Sequence, residues 1–379
     1  MKIIVVGGGI MGLSTALALH TAGHRVTLLE QGPIPNPLGS SVDDHRLIRH
    51  PYGPMTGYAK MINPAFAAWE QTWAALGRSL YHPTGTLILA RDDTTWAEAS
   101  LSDMAELGIA TQMLDDKKLH EMAPMLQNIK DTFAAYVDSG GVLLADQIVA
   151  ALGTHLLMNG VAMRTNTPVV DIDPVRGNVF TADGERMSAN AIVVTAGPWV
   201  RELCPEAKVK PSRQVVIHLE ASPTVQTAWT QSPMVLDIHG QGGIYVVPPV
   251  AGTPLKVGDH SFSRKGHPDK DREPKEKEIN ALFEACRTRF ENLDQYKVTG
   301  AKTCFYTVTQ DERFVMEQKD KMVVMTGFSG HGFKFGALMG HLAAAVATKK
   351  ADPDTIRSLA AGEITDIEEI TRLTNDCMA

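Results

Sequence analysis

The segment that most constrains the fold is residues 2–12, Lys-Ile-Ile-Val-Val-Gly-Gly-Gly-Ile-Met-Gly, an apolar run that opens onto a glycine-rich turn. The run is typical of a buried parallel strand, and its glycines have the Gly-x-Gly-x-x-Gly spacing. In that pattern Gly7 allows a tight turn, Gly9 lets the backbone approach a pyrophosphate, and Gly12 lets the next helix pack closely. The sequence therefore predicts the start of a dinucleotide-binding fold.

A helix is expected to follow this turn, from Met11 to about Ala22, with Ile10 and Met11 at its beginning. Its free N–H groups and the positive end of its dipole would then face the phosphates. A second strand ends on Glu30, where a carboxylate can accept both hydroxyls of an adenosine ribose. That acid argues against a 2′-phosphate, so NADP is not expected. A merely structural glycine turn is the alternative.

Size and composition limit the class of protein further. The 379 residues, 44% of them hydrophobic, can bury a large core and normally form more than one domain. A net charge of −7 gives no reason to expect nucleic acid or an anionic membrane surface. No apolar run reaches the roughly 18 residues of a membrane span, so we expect a soluble, cytoplasmic protein. The cysteines lie far apart, which suggests neither a metal site nor a disulfide framework.

The elements along the chain predict a discontinuous organisation. Further strands at 161–164, 168–172 and 191–195 are expected to extend the first sheet. The segment 211–256 alternates and is rich in Val, Ile and Tyr, as an antiparallel sheet should be. A helix is expected from Pro274 to about Phe290, because proline is tolerated in a first helical turn.

The end of the chain returns to alternating strand and helix, with a strand at 322–325 and a last helix at 336–348. The predicted fold class is therefore α/β (α+β), with a Rossmann-like nucleotide-binding domain and an inserted substrate domain built on a mainly antiparallel sheet. The expected bounds are 1–85, 138–212 and 300–379 for the nucleotide domain, and 86–137 and 213–299 for the substrate domain.

Four segments resemble one enzyme family, in the same order, along nearly the whole chain. They are Gly7-Gly-Gly-Ile-Met-Gly12, His45-Arg-Leu-Ile-Arg-His-Pro-Tyr52, Cys304-Phe-Tyr-Thr-Val-Thr-Gln-Asp-Glu312 and Gly327-Phe-Ser-Gly-His-Gly-Phe-Lys-Phe335. The chain resembles the monomeric sarcosine oxidase and N-methyltryptophan oxidase branch of the D-amino-acid-oxidase-like flavoenzymes. The resemblance implies that the dinucleotide is FAD rather than NAD, and that the substrate is an amine rather than an alcohol.

Cys304 corresponds to the cysteine that this family joins through sulfur to the 8α-methyl group of the flavin. The resemblance thus implies covalent FAD. For an unplaced cysteine, a small thiol buried in a core strand is the plainer interpretation. Covalent attachment needs a thiolate, so we expect basic neighbours that lower the pKa of Cys304.

Lys256 matches the family lysine that lies over the flavin and assists the reaction with oxygen. A preorganised cation at the place where negative charge develops on oxygen lowers the barrier to that reaction. A lysine on a strand is otherwise usually a solvated edge residue, and this interpretation stays open.

Five further residues are expected at the substrate or near the flavin face. Arg49 and Lys334 match the positions that hold the substrate carboxylate, and Arg46 is expected near the flavin face. A guanidinium can bind a carboxylate through two parallel hydrogen bonds, while an ammonium adds a point charge. Tyr306 and His260 match residues that contact the amine or carboxylate region, with a core tyrosine and a structural histidine as the alternatives.

Other residues are expected at the cofactor. Gly330 and Gly332 precede a helix, so backbone N–H groups and a positive helix end can approach the flavin ring there. The small-residue turn at Gly197 suits a close approach of backbone to a ligand. The remaining residues expected to contact FAD are His45, Val169, Phe333 and Lys334.

One departure from the family concerns the substrate pocket. Where close relatives of sarcosine oxidase carry two tyrosines after an isoleucine, this chain has Ile244-Tyr245-Val246-Val247. We therefore expect Val246 to replace one pocket tyrosine and to make the pocket larger or less polar. The substrate is left open among N-methyl, N-substituted and cyclic amino acids.

The implied function is an FAD-dependent oxidase of a secondary amino acid. The clamped substrate would give up hydride to the flavin, the imine would hydrolyse, and O2 would be reduced to hydrogen peroxide. A dehydrogenase that uses another electron acceptor and a noncatalytic flavin-binding subunit are the alternatives. We expect a monomer whose partners are a small-molecule amino acid and O2, with no nucleic acid, membrane or metal.

Overall fold

The computed structural model describes residues 1–237 and 243–379. The described strands, in chain order, are β1 (Lys2–Val6), β2 (Arg25–Leu29), β3 (Arg46–Ile48), β4 (Tyr81–Pro83), β5 (Thr86–Ala90), β6 (Thr111–Met113), β7 (Phe133–Val137), β8 (Gly141–Leu143), β9 (Ala162–Arg164), β10 (Val169–Asp173), β11 (Asn178–Thr181), β12 (Arg186–Ser188), β13 (Ala191–Val194), β14 (Lys210–Ala221), β15 (Met234–Asp237), β16 (Ile244–Val247), β17 (Leu255–Asp259), β18 (Tyr296–Val308), β19 (Val315–Lys319) and β20 (Met322–Thr326). The described α-helices are α1 (Ile10–Thr21), α2 (Thr56–Leu76), α3 (Thr95–Glu106), α4 (Asp116–Met122), α5 (Ala145–Met158), α6 (Val200–Leu203), α7 (Pro223–Thr230), α8 (Glu276–Arg287), α9 (Gly336–Ala347), α10 (Pro353–Ala360) and α11 (Ile367–Met378).

A six-stranded sheet contains the glycine-rich turn, in the order β19-β20-β13-β1-β2-β9. Strand β1 pairs in parallel with β2 and with β13, and β13 pairs in parallel with β20. The side chains from Ile3 to Val6 are all buried, as expected for a central parallel strand covered on both faces. Helix α1 packs against α9 beside this sheet.

One strand that was expected in this sheet lies elsewhere. Strands β9 and β13 join the first sheet as predicted, but β10 pairs antiparallel with β11 in a separate three-stranded sheet. The prediction for the strand at 168–172 was therefore wrong about its partner. Val170 and Asp171 are exposed in the observed strand, whereas a parallel strand of the first sheet is buried on both faces.

An eight-stranded, mainly antiparallel sheet forms the second layer, in the order β18-β14-β17-β16-β15-β5-β7-β6. Its two longest strands, β14 and β18, pair along their whole length. Among the described strand pairs of this sheet, only β15 with β5 is parallel. The predicted fold class is confirmed. The predicted sheet segment 211–256 also contains helix α7, which the alternating pattern did not reveal, and its residues 238–242 lie outside the described ranges.

Two helix predictions needed correction. Helix α8 begins at Glu276 rather than at Pro274, because the Glu278 carboxylate accepts a hydrogen bond from the Lys275 N–H (2.8 Å) and so caps the helix there. Helix α9, expected to be the last, is followed by α10 and α11. Asp352 and Asp366 cap these two helices by accepting from backbone N–H groups.

The expected domain bounds stay a prediction. The two large sheets take their strands from interleaved parts of the chain, which supports a discontinuous division. However, β14 and β18 run across the expected bounds at 212 and 300, so the sheets do not place the boundaries there. Within the described residues, no helix combines the length and apolar character that a membrane crossing requires.

Candidate active site

A first cavity, of about 160 Å³, lies where β1, β2 and β13 end at their carboxyl edge. Ligands of open α/β sheets bind outside this edge. We call it the glycine-loop cavity because the turn after β1 forms part of its wall. The predicted cofactor residues that line it are Gly7, Gly9, Ile10, Met11, Glu30, Arg46, Val169, Gly197, Gly330, Gly332 and Phe333.

The glycines of the turn have the separate functions that their spacing predicts. Gly7 adopts a positive φ of 107°, which favours glycine. A Cβ on Gly12 would lie 1.8 Å from the Gly7 carbonyl oxygen, so Gly12 permits close packing and does not line the cavity. Gly9 is the N-cap of α1 and offers no capping side chain. The Ile10 N–H donates to the Ser41 hydroxyl (3.0 Å), and the other N–H groups of the first turn can bind a phosphate.

Glu30 is held firmly at the edge of this cavity. Its carboxylate accepts hydrogen bonds from the Gly8 N–H (2.6 Å), the Gly32 N–H (2.9 Å) and the Asn36 side-chain amide (2.8 Å). A carboxylate has about four acceptor positions, so capacity for a ribose hydroxyl is left. The open helix end, the small residues and this acid together fit the adenosine and pyrophosphate of FAD.

A second cavity, of about 520 Å³, adjoins the first, and we call it the cationic cavity. Arg46, Tyr306, Gly330 and Phe333 line both cavities. The predicted site residues on its wall are Arg46, Arg49, Lys256, His260, Cys304, Tyr306, Gly330, Phe333 and Lys334. The structure thus brings together residues from four distant parts of the sequence.

His45 lines neither cavity, although the sequence placed it at the cofactor. Its ring is completely buried, and Nε2 lies 3.1 Å from the Pro254 carbonyl oxygen. Burial and the nearby Lys256 lower the pKa of His45 to about 2, so the ring is neutral. Its backbone carbonyl has a different use, since it accepts hydrogen bonds from Arg46 and Lys256.

Arg49 and Lys334 give the second cavity its charge. Among the described residues, no carboxylate forms an ion pair with either side chain, and Nη1 of Arg49 is buried without a hydrogen-bond partner. Burial lowers the pKa of Lys334 well below its usual value, and Arg49 lowers it further. Two buried basic groups without an anion form an environment that a carboxylate ligand would complete, because its negative charge would favour the ammonium form of Lys334.

Tyr52 connects these two cations. The Arg49 guanidinium carbon lies 4.8 Å from the centroid of the Tyr52 ring, and Lys334 Nζ lies 5.3 Å from it. Both distances allow cation–π attraction, which offsets part of the repulsion between the cations. Lys334 Nζ also donates to the Tyr52 hydroxyl (3.1 Å) and to the His331 carbonyl (3.2 Å). One ammonium hydrogen is left for a ligand.

His331 fixes the direction of the Tyr52 hydroxyl. Burial and Lys334 lower the pKa of His331 well below its usual value, so the ring is neutral. Its Nε2–H donates to the Glu312 carbonyl (3.0 Å), and Nδ1 therefore accepts from the Tyr52 hydroxyl (3.3 Å). The Tyr52 oxygen is then directed as an acceptor toward Lys334.

Replacing Tyr52 by Phe is expected to weaken the binding of a carboxylate, because Lys334 loses an acceptor that orients it. A hydrogen bond to a charged group contributes about 1.5–3 kcal/mol, so the Kd for an unreactive carboxylate such as acetate should rise about tenfold or more. Titration of the flavin absorbance measures this Kd. Tyr58→Phe is the matched control, because the Tyr58 hydroxyl bonds to Ala360 and Phe314 instead. An unchanged Kd in Tyr52→Phe would exclude the orienting role.

Cys304 has the basic neighbours that were expected, but not the expected pKa. Arg46, Arg272 and Lys256 are near it and favour the thiolate. Burial outweighs them and raises the pKa of Cys304 above its usual value. The expectation of a lowered pKa was therefore wrong for this state of the protein. The free-energy penalty of removing the thiolate from water is larger than the electrostatic stabilisation that these neighbours provide.

Two tyrosines and a histidine complete the wall of the cationic cavity. Tyr306 is hydrogen-bonded to Tyr245. Burial, and to a smaller extent the nearby Tyr245, raises the pKa of Tyr306 well above its usual value. Burial lowers the pKa of His260 to about 4, with smaller contributions from the positive charges of Arg49 and Lys334. These groups are therefore neutral hydrogen-bonding partners at neutral pH.

The predicted effect of Val246 was wrong. Val246 is 1% exposed and packs in the core of the eight-stranded sheet, so it does not line the cavity. Side chains alternate between the two faces of a strand, and Tyr245 lies on the cavity wall. The cavity thus keeps a tyrosine from β16.

Several residues of the site were not singled out from the sequence, namely Asp43, Tyr52, Trp96 and His331. Tyr52 and His331 stand inside two of the matched segments, so the signal was present but was not used. Asp43 is an acid in a polar loop, where a solvated side chain is the usual expectation. No local pattern distinguishes it.

Known proteins resemble this chain over most of its length. Residues 2–346 match the family described as DAO, FAD dependent oxidoreductase. An N-methyl-L-tryptophan oxidase of Yersinia pestis (strain Pestoides F) is 26% identical over 361 residues, which cover 93% of this chain and 96% of the relative.

Two solved structures share the fold. The open form of NikD, an unusual amino acid oxidase essential for nikkomycin biosynthesis, has a TM-score of 0.83 at 20% identity and covers 95% of this chain and 96% of its own. The L-proline dehydrogenase of P. horikoshii has a TM-score of 0.81 at 19% identity and covers 98% of each chain.

The class that the fold and the family match define is the FAD-dependent oxidoreductases. This chain belongs to the DAO family of those enzymes, which confirms at family level the resemblance seen in the sequence.

Proposed function

We propose that the protein is an FAD-dependent oxidase of secondary amino acids. The observation that carries this proposal is the pair of buried cations Arg49 and Lys334, which lack a carboxylate partner among the described residues and face a cavity that adjoins the glycine-loop cavity. When bound, FAD would supply a hydride acceptor for the carbon next to nitrogen and a route for the electrons to O2, giving an imine and hydrogen peroxide.

The chain's own residues would bind and orient the amino acid. Arg49 would hold the carboxylate through two hydrogen bonds, and Lys334 would add its remaining N–H. Fixing the carboxylate at one end restricts where the amine can lie, which lowers the entropy cost of reaching the reactive geometry. His260 and Tyr306, both neutral, would contact the amine end.

The two cations also favour the reactive protonation state. A positive charge nearby disfavours the ammonium form of the substrate, so the amine would bind unprotonated or release its proton on binding. No general base beyond the site's electrostatics is then required. Lys256 would stabilise the negative charge that develops on oxygen.

The proposal is tested by an anaerobic screen in which secondary amino acids are mixed with the purified yellow protein. Bleaching of the flavin absorbance by N-methyl, N-substituted or cyclic amino acids, and not by the corresponding amides, is the expected result. If no amine bleaches the flavin, a noncatalytic flavin-binding subunit is favoured instead. A cytoplasmic location and a monomeric state stay predictions.

A dehydrogenase is the second candidate, because one similar structure carries that name. Peroxide formation and dye reduction, measured with the same amine, separate the two activities. Stoichiometric peroxide in air supports the oxidase. Dye reduction without oxygen consumption would replace it with the dehydrogenase.

We also propose that FAD is attached through Cys304, which lies on β18 in the wall of the cationic cavity. Wild-type protein precipitated with acid is expected to keep its yellow colour, and Cys304→Ser is expected to release all of its flavin into the supernatant. Cys286→Ser serves as the control, since the Cys286 thiol is buried in the apolar core on the face of the eight-stranded sheet that is opposite the cavity. A colourless wild-type pellet would exclude the linkage and leave noncovalent FAD.

A further inference from the structure

The buried carboxylate of Asp43 lies among three cations beside the cationic cavity. Lys256 Nζ is 2.9 Å from Asp43 Oδ2, Lys302 Nζ is 3.7 Å from Oδ1, and Arg46 also forms an ion pair with Oδ2. Asp43 is 3% exposed and Lys256 is 2% exposed. Asp43 and Lys256 therefore form a pair that is almost completely removed from water.

Lys256 is fixed in both position and direction. Besides the bond to Asp43, its Nζ donates to the His45 carbonyl (2.6 Å). Asp43 and His45 both lie in the loop that precedes β3, whereas Lys256 lies on β17, more than 200 residues later. The loop thus holds the lysine by two of its three N–H groups.

An isolated ammonium at this depth would favour its neutral form, because burial penalises the charged form. Burial and Arg46 lower the pKa of Lys256, and Asp43 opposes them. Although burial by itself would raise it, Lys256 and Arg46 hold the pKa of the Asp43 carboxyl well below its usual range. Asp43 is thus the main anion that compensates the charge of Lys256.

Other charged or titratable groups around Lys256 come from the loop and from the neighbouring strands of the sheet. They are Asp44, His45 and Arg46 on the loop side, His218 on β14, and Lys302 and Cys304 on β18. His45 is neutral, and the Asp44 carboxylate lies 3.6 Å from Nε2 of His218, whose pKa is lowered by burial. Of the acids, only Asp43 contacts Lys256 in the described part of the chain.

We propose that Asp43 is a positioning residue that keeps the ammonium of Lys256 charged and directed at the cavity, and that Asp43 thereby sets the upper pH limit of the reaction with oxygen. The second half of this inference rests on the proposed oxidase function. The first half, the charge of Lys256, does not depend on it. Removal of Asp43 would lower the affinity of Lys256 for its proton, which would pass to solvent.

The charge of Lys256 is measured directly by NMR of the holoenzyme labelled with ε-13C lysine, with Lys256→Met used to assign the signal. In the wild type, the signal is expected to keep its ammonium position at neutral pH. In Asp43→Asn it should change to the amine position at a pH lower by about 1–3 units, the usual effect of one close opposite charge. A wild-type lysine that is already neutral at pH 7 would overturn the proposal even if Asp43→Asn fails to fold.

The oxygen reaction is measured by photoreducing the flavin without any amine and mixing it with O2 at a series of pH values. The alkaline fall in the reoxidation rate is expected to move to lower pH in Asp43→Asn by the same interval as the NMR titration. Asp44→Asn is the matched control, because Asp44 is half-buried and does not contact Lys256, so a much smaller shift is expected.

The outcomes separate the two proposals. Identical pH profiles and identical lysine titrations in wild type and Asp43→Asn would overturn the inference about Asp43. Wild-type flavin that does not react with O2 at any pH would overturn the oxidase function, while the NMR titration would still decide whether Asp43 keeps Lys256 charged. A shift of the rate profile that persists in Asp43→Asn/Lys256→Met would show that Asp43 does not act through Lys256 and would also overturn the inference.

Discussion

Replacing Lys256 by Met is expected to slow the reoxidation of the reduced flavin by O2 about 10²–10³-fold, the usual effect of removing one preorganised electrostatic group. Anaerobic reduction by the amine should change little, because Arg49 and Lys334 rather than Lys256 hold the carboxylate in the proposed site. Stopped-flow measurement of the two half-reactions separates these effects.

Lys302→Met is the matched control for this prediction. Lys302 also lines the cationic cavity and approaches Asp43, but its side chain is 43% exposed and therefore acts through solvent. Its replacement should alter reoxidation only slightly. If Lys256→Met reoxidises at the wild-type rate while its reduction collapses, Lys256 belongs to substrate binding. If neither rate changes, Lys256 has no part in catalysis.

The second large effect concerns the carboxylate of the substrate. Converting that group to an amide should lose charge-assisted hydrogen bonds of about 1.5–3 kcal/mol each, so two bonds to Arg49 imply a loss of roughly 10²–10⁴-fold in kcat/KM. Arg49→Lys keeps the charge but loses the two-bond geometry, and it should therefore also weaken binding. Steady-state kinetics on a matched acid and amide provide the measurement.

Arg49→Gln provides the internal control for this prediction. Without the guanidinium, the preference for the acid over its amide should largely disappear, whereas turnover of the amide itself should change little. Equal turnover of acid and amide by the wild type would remove Arg49 and Lys334 from the proposed role. A full preference retained in Arg49→Gln would assign the recognition to another group.

The sequence predicted well what depends on neighbouring residues. The turn at Gly7, the helix after it and the acid at Glu30 are set by a pattern of about 25 residues, and all lie where they were expected. The antiparallel character of the second sheet likewise follows from local alternation. These features need no knowledge of distant contacts.

Features that depend on tertiary contacts were predicted less well. The sequence could not show that β10 leaves the first sheet, because a strand's partner is decided by which of its faces is covered. The prediction for Val246 failed for a related reason, since a shift of one residue along a strand changes the face of the side chain.

The hydrogen-bond partners in the site were the hardest feature to predict from the sequence. Tyr52 and His331 are separated by 279 positions, and Asp43 and Lys256 by 213. The family resemblance identified Lys256, and the matched segments contain Tyr52 and His331, but neither revealed the loop carboxylate opposite Lys256. Pairing at such separations is determined only when the sheets have assembled.

Arg49 and Lys334, which are proposed to hold the substrate carboxylate, are also in contact with tryptophan. The Trp69 indole N–H donates to the backbone carbonyl of Lys334 (2.7 Å), and the Arg49 guanidinium carbon lies 5.6 Å from the Trp96 ring. Indole emission depends on nearby charge and hydrogen bonding, so Trp96 reports on the Arg49 guanidinium and Trp69 on the backbone at Lys334. Bound flavin would absorb the emitted light, so the measurement is made on flavin-free protein. There, binding of an anion between Arg49 and Lys334 would change the fluorescence spectrum without any added label.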